Sequence, residues 1–283
     1  MENFIVVNSA GAYNRMYIYK FLFRDGVQLQ ASWSHWEFEP GEKVLASAAI
    51  GSTIFIVKQS PQGVDIEHLR FIKEATDMDN EPYRLHLDSK ATMYIQPNTY
   101  NPDTFVTLVD IGAAYGGSAP PKGNYFMVDD QGAYVSLGLL DGQSLVNIRG
   151  DWSNKTVFIG RSYNMRYKFS RFLIKSENDT GVQTEDTGRL QLRRAWVNYQ
   201  DTGALRLTVS NGQREFVNIL NGYTLGQQAL GTSNIGDGQF RFAMNGNAMT
   251  TSLVLESDYP TPVSIVGCGW GIIRQESATS LTY

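Results

Sequence analysis

The sequence predicts an all-β protein. Three observations carry this expectation: short runs of alternating apolar and polar residues, two-residue turn signals between them, and almost no helical periodicity. Glycine supplies 27 of the 283 residues, above the roughly 7% of an average chain, as many tight turns require.

The elements follow in order. Residues 16–23 (MYIYKFLF) are aromatic and β-branched and read as a strand; Asp25-Gly26 turns the chain, and residues 27–33 run back. Residues 44–50 and 53–58 form a second hairpin about Gly51-Ser52. Further turns are expected at residues 129–132 and at Asp141-Gly142, Asn211-Gly212, Asn221-Gly222, Asp237-Gly238 and Asn245-Gly246. Asp-Gly and Asn-Gly suit type I′ turns because both central residues need positive φ. Residues 65–76 place Ile66, Leu69, Ile72 and Ala75 at helical spacing, but Leu69 and Phe71 also fit a strand, and the β surroundings favour the strand. A sandwich or a propeller is the expected architecture. Residues 112–123 (GAAYGGSAPPKG) are small, rich in Pro and Gly and nearly uncharged, so they read as an exposed mobile loop.

Composition narrows the function. The net charge of −4 argues against a basic coat for nucleic acid. Charged residues make up 18% and aromatics number 34, a balance suited to a subunit with interfaces to bury. A single cysteine, Cys268, excludes an intrachain disulfide and cysteine-rich zinc sites, and with no basic neighbour within two residues it is expected to be a small buried hydrophobe. The three histidines (His35, His68, His86) include no HxxxH pair. No basic-then-apolar leader opens the sequence and no 18-residue apolar run occurs, so neither a signal peptide nor a helical membrane span is expected.

No catalytic constellation stands out. Ser34 and His35 are adjacent, but neighbouring strand residues point to opposite faces. Glycoside hydrolysis needs two carboxylates at a set separation, and Asp129-Asp130, Glu185-Asp186 and Glu256 with Asp258 are the available clusters, each better read as turn or surface residues. Phosphate-cradling motifs are absent, and Gly267-Cys268-Gly269-Trp270-Gly271 reads as a close-packed strand end. Arg149-Gly150-Asp151 and the sequons at Asn154 and Asn178 occur without a context that would give them a role. No cofactor is expected.

One charged feature stands apart. Residues 161–200 hold eight basic and four acidic side chains, whereas every other stretch is net acidic. The basic residues are Arg161, Arg166, Lys168, Arg171, Lys175, Arg189, Arg193 and Arg194. Strand alternation would set Arg193 and Arg194 on opposite faces. A nucleic-acid stripe, pairing with an acidic subunit and a solvated face are the three readings.

Several segments in order are similar to one family. They are residues 33–38 (WSHWEF), 81–84 (EPYR), 100–105 (YNPDTF), 185–199 (EDTGRLQLRRAWVNY), Thr261-Pro262 and 265–270 (IVGCGW). Together they resemble tail tubular protein B, the nozzle family of short-tailed phages (podoviruses), from about Asn3 to Arg274, and only the C-terminal part of its longer members. The resemblance implies a non-enzymatic virion protein, assembled in the host cytoplasm. Six copies would form a ring below the adaptor ring (tail tubular protein A) and portal. That ring would continue the DNA channel, hold tail fibres, meet the host envelope at its tip and retain the genome until ejection. It also implies that residues 1–78 are the last blades of a propeller-like domain. Residues 79–170 would form a β-rich nozzle region and 171–283 a C-terminal β-sandwich. Arg171, Lys175, Arg189, Arg193 and Arg194 are then expected at an interface with a neighbouring subunit or tail protein, and Gly112, Tyr115, Gly116, Gly117, Pro120, Pro121 and Lys122 in a gate or tip loop. The alternative is a virion-associated glycan hydrolase or a carbohydrate-binding β-protein acting on the host envelope.

Overall fold

A computed structural model describes residues 3–8, 11, 13–61, 63–71, 80–178, 181–185, 189–221 and 233–275. The fold is nearly all β, in two compact units, Met1–Met78 and Asp79–Tyr283.

The first unit contains six strands: β1 (Asn3–Asn8), β2 (Arg15–Arg24), β3 (Val27–Glu37), β4 (Lys43–Ile50), β5 (Thr53–Ser60) and β6 (Gly63–Arg70). They pair as two three-stranded antiparallel meanders, β1-β2-β3 and β4-β5-β6. The β2–β3 hairpin closes through Asp25 (φ 52°) and Gly26 (φ 78°), the two positive φ values of a type I′ turn. The segment 65–70 belongs to β6, as the strand reading expects; residues 72–76 lie outside the described residues. A small core of Met16, Val44, Ile54 and Ile56 joins the two sheets, with Trp36, Phe38 and Phe71 against it. Lys58 is buried there, its ammonium 2.8 Å from Glu67 and 3.3 Å from Glu42, so the buried charge is compensated.

The second unit contains β7 (Asp88–Ile95), β8 (Tyr100–Asn101), β9 (Val106–Asp110), α1 (Ile111–Ala114), β10 (Gly123–Asp129), β11 (Tyr134–Leu140), β12 (Leu145–Arg149), β13 (Lys155–Arg161), β14 (Met165–Lys168), β15 (Ile174–Asn178), β16 (Gly181–Glu185), β17 (Arg189–Thr202), β18 (Leu205–Ser210), β19 (Glu215–Leu220), β20 (Gly236–Asn247), β21 (Ser252–Ser257) and β22 (Ser264–Gln275). Two cores organise it. The first joins sheet β11-β10-β13-β7 to sheet β12-β9-β8 through Ile95, Val109, Tyr125, Met127, Ile148, Val157 and Ile159. The second joins sheet β14-β21-β18-β19 to sheet β20-β17-β22 through Leu192, Val197, Leu205, Leu207, Phe242, Met244, Leu253 and Leu255. The strict alternation Leu205, Leu207, Val209 inward and Arg206, Thr208, Ser210 outward shows the period-2 rule directly. Each fully buried Leu or Ile contributes about 1.5–3 kcal/mol by leaving water. β14 joins this second assembly through antiparallel pairing of Met165–Lys168 with β21.

Two expected turns are not turns. Asp237-Gly238 and Asn245-Gly246 lie inside β20. A Cβ on Gly238 would stand 2.7 Å from the Tyr199 hydroxyl, and one on Gly246 2.2 Å from the Thr251 hydroxyl. These glycines allow close packing, a need that looks the same in sequence as a turn.

Candidate functional site

Among the described residues, the carboxylate clusters do not assemble an acid–base pair. Asp129 is buried and clamps its own turn, accepting from the amides of Gln131 (3.1 Å) and Ala133 (2.8 Å) and from Lys155 (2.7 Å). Its neighbour Asp130 is exposed. Glu256 lies between Arg166 (3.2 Å) and Arg206 (3.8 Å), while Asp258 is exposed. Glu185 ends β16, and Asp186 lies outside the described residues. Ser34 registers with Ile18 and His35 with Tyr17, on alternate faces of β3. Among the described residues, no three His, Cys, Asp or Glu side chains gather as metal ligands, and no helix is long and apolar enough to cross a membrane.

The basic block is dispersed. Arg161 is buried beneath Gly123, where a Cβ would stand 2.4 Å from its side chain. Arg166 is engaged with Glu256, while Lys168 and Arg171 are exposed. Lys175 lies in β15 opposite Thr184, and Arg189 opens β17 opposite Gln275.

Arg193 and Arg194 behave differently from the expectation of opposite faces: both are exposed, between buried Leu192 and buried Ala195. The register of β17 shifts between Leu192 and Arg194 against both β20 and β22. Against β22, Arg193 is thus the extra residue of a β-bulge, while against β20 the extra residue lies on β20; such bulges break the alternation that would have sent one arginine inward. Below it, the outward face is regular. Arg194 stands between Ala243 and Gly271, Trp196 between Arg241 and Gly269, and Asn198 between Gln239 and Gly267. Gln239 donates to Asn198 at 2.9 Å, and Arg241 donates to Gln239 at 2.5 Å. The result is a shallow depression of about 230 Å³ lined by Arg194, Ala195, Trp196, Gln239 and Arg241.

Cys268 is exposed on β22, contrary to the expectation of a buried hydrophobe. Among the described residues β22 is an edge strand, paired on one side with β17. Partial burial pushes its thiol pKa up, as the absence of a nearby cation leads one to expect.

The segment 112–123 is anchored at both ends. Gly112 sits in α1, buried, with Ser144 Cβ 2.9 Å from where its own Cβ would be. Tyr115 donates to the carbonyl of Ser89 at 2.7 Å and meets Tyr125 edge to face. Burial raises the pKa of its phenol, so it stays neutral and donating. Pro120 is buried, and the Pro121 carbonyl accepts from the Tyr125 hydroxyl at 2.8 Å. Lys122 pairs with Asp141 at 2.6 Å on the surface. Only residues 116–119 form a continuous exposed run, opening with Gly116 (φ 68°) and Gly117 (φ 86°). The exposed part is therefore a four-residue tip, shorter than composition alone implied, because Tyr115 and Pro120 carry enough apolar surface to be drawn onto the core.

Two functional candidates went unseen in the sequence. Phe105 holds φ 55°, a left-handed conformation that costs a bulky residue, and yet the residue is 68% exposed. Arg241 belongs to no basic run; it joins Arg194 and Trp196 only through strand register.

These surfaces gain meaning from comparison with known proteins. The model of the bacteriophage nozzle protein family matches residues 1–274. The chain belongs to that family. It is 36% identical over 276 residues, 95% of its length, to the tail tubular protein gp12 of Escherichia phage T7. That alignment covers 35% of the T7 protein, so the chain spans about a third of this relative's length.

Proposed function

We propose that this chain is a structural, non-catalytic component of a short phage tail. In this reading it forms part of the distal nozzle ring, which continues the DNA channel, retains the genome and lets it pass into the host. The observation that carries the reading is the nozzle-family match across residues 1–274. The ring is sixfold, assembles in the host cytoplasm, and meets the adaptor ring above, tail fibres at the side and the host envelope at the tip. Residues 1–78 serve as propeller-like blades, 79–170 as the nozzle region and 171–283 as the C-terminal sandwich.

The electrostatics support a conduit. A wall dense in Arg and Lys would hold phosphates through counterion release, whereas a net charge of −4 lets DNA slide. The exposed arginines of the β17 bulge accordingly face a neighbouring protein and not the lumen. The tip at residues 116–119 is the mobile part of the gate loop, hinged between the anchors at Tyr115 and Pro120.

Single-particle imaging of the assembly containing this chain tests the reading. A sixfold ring about an axial channel is the expected result. A monodisperse monomer, or Arg193 and Arg194 lining the channel, would count against it.

A further inference from the structure

The geometry points to a knob-and-socket contact between neighbouring copies: Phe105 of one copy seats in the Arg194–Trp196–Arg241 depression of the next. The inference rests on the ring reading above and adds which two faces meet.

A ring needs a heterologous contact, in which two different faces of one chain are complementary. The socket is cationic. Its lining holds two guanidinium groups, an indole and no carboxylate, with exposed Arg193 beside it on the bulge. Among the described residues neither Arg193 nor Arg194 has an ion-pair partner. The missing side chain at Gly269 lets the Trp196 indole lie down over β22, and the Arg194 side chain lies over Gly271, so the depression opens beside the indole on the β20 side, between Arg194, Gln239 and Arg241. Arginine and tryptophan surfaces favour an aromatic guest, through stacking and cation–π attraction.

The knob is the opposite in charge. Phe105 projects from a loop closed by the Asp103 amide donating to Asn101 (2.9 Å) and tied to the next loop by the Gly150 amide donating to the Phe105 carbonyl (2.9 Å). These bonds fix an exposed aromatic as the last residue of the β8–β9 turn, where the left-handed backbone that the turn uses disfavours a bulky side chain. Asp103 and Asp151 flank it and are exposed. Asp151 accepts from the amide and hydroxyl of Ser153 (3.0 and 2.6 Å), which keeps its carboxylate ionised. Two cations stand near: Arg149 on this loop pair, and Lys155, which is close enough to act on Asp151 but is paired with Asp129 at 2.7 Å. Exposed Leu108 on β9 extends the apolar contact. An aromatic anchor with an acidic rim thus meets a cationic, aromatic-lined depression.

Charge reversal on the full chain tests the pairing, with the ring fraction read by analytical ultracentrifugation and negative-stain imaging. The socket variant Arg193→Glu/Arg194→Glu/Arg241→Glu and the knob variant Asp103→Lys/Asp151→Lys should each lower the ring fraction about tenfold, because like charges then face each other. A chain carrying both sets should recover it. Phe105→Gly should lose the ring while its melting temperature holds or rises, since glycine relaxes the positive φ. Rings that form equally well in every variant would overturn this pairing and leave the ring reading standing. A wild-type chain that stays monomeric would overturn both.

Discussion

Trp196 lies across Gly269 on the neighbouring strand, so closely that a Cβ on Gly269 would stand 2.3 Å from the indole. Gly269→Ala must therefore push the ring away from β22. We expect a loss of about 1–3 kcal/mol, the usual cost of overpacking, and a lower melting midpoint. Gly267→Ala, whose added Cβ would lie 3.9 Å from Asn198, should cost far less in the same assay.

Asp129 organises the β10–β11 turn with three hydrogen bonds while almost wholly buried. Asp129→Ala strands two amides and one ammonium. A loss of about 2–3 kcal/mol is expected in denaturant unfolding, since bonds to a charged acceptor are the stronger kind. Asp130→Ala should be near neutral, because that side chain is exposed.

His86 stacks on Tyr163, and its amide donates to the Pro260 carbonyl. Burial, aided by the charge of Arg84, lowers its pKa from 6.5. The folded state thus resists protonation more than the unfolded chain does. Stability from this group is complete above pH 6.5 and declines as pH falls through that value toward the lower folded pKa, where the decline levels off. Melting temperatures from pH 7.5 to 5 should show this slope, and His86→Gln should flatten it. An unchanged slope in the variant would assign the effect elsewhere.

Tyr115 anchors the gate segment through its hydroxyl bond to Ser89. Tyr115→Phe keeps the ring but removes a bond worth about 1 kcal/mol. Limited trypsin digestion should then cut after Lys122 faster than in the wild type, with little change in global melting.

Cys268 should react with iodoacetamide in the folded protein, since it is exposed, but more slowly than a free thiol because its pKa is raised. Modification only upon unfolding would contradict the position of β22.

The features legible in the sequence alone share a local origin. The all-β class, the Asp25-Gly26 turn and the two hairpins of the first unit all rest on backbone preferences and period-2 alternation within a few residues. The nozzle family was legible too, through ordered blocks such as residues 185–199. The tertiary structure decided the rest. It placed Arg193 and Arg194 on one face through a bulge, turned Gly238 and Gly246 from turns into packing glycines, left Cys268 exposed, drew Tyr115 onto the core and set Arg241 beside Trp196. Each of these depends on which strand pairs with which, in what register. A one-residue shift in pairing exchanges the two faces of a strand, so the surfaces of a β-protein exist only once its long-range pairs are made.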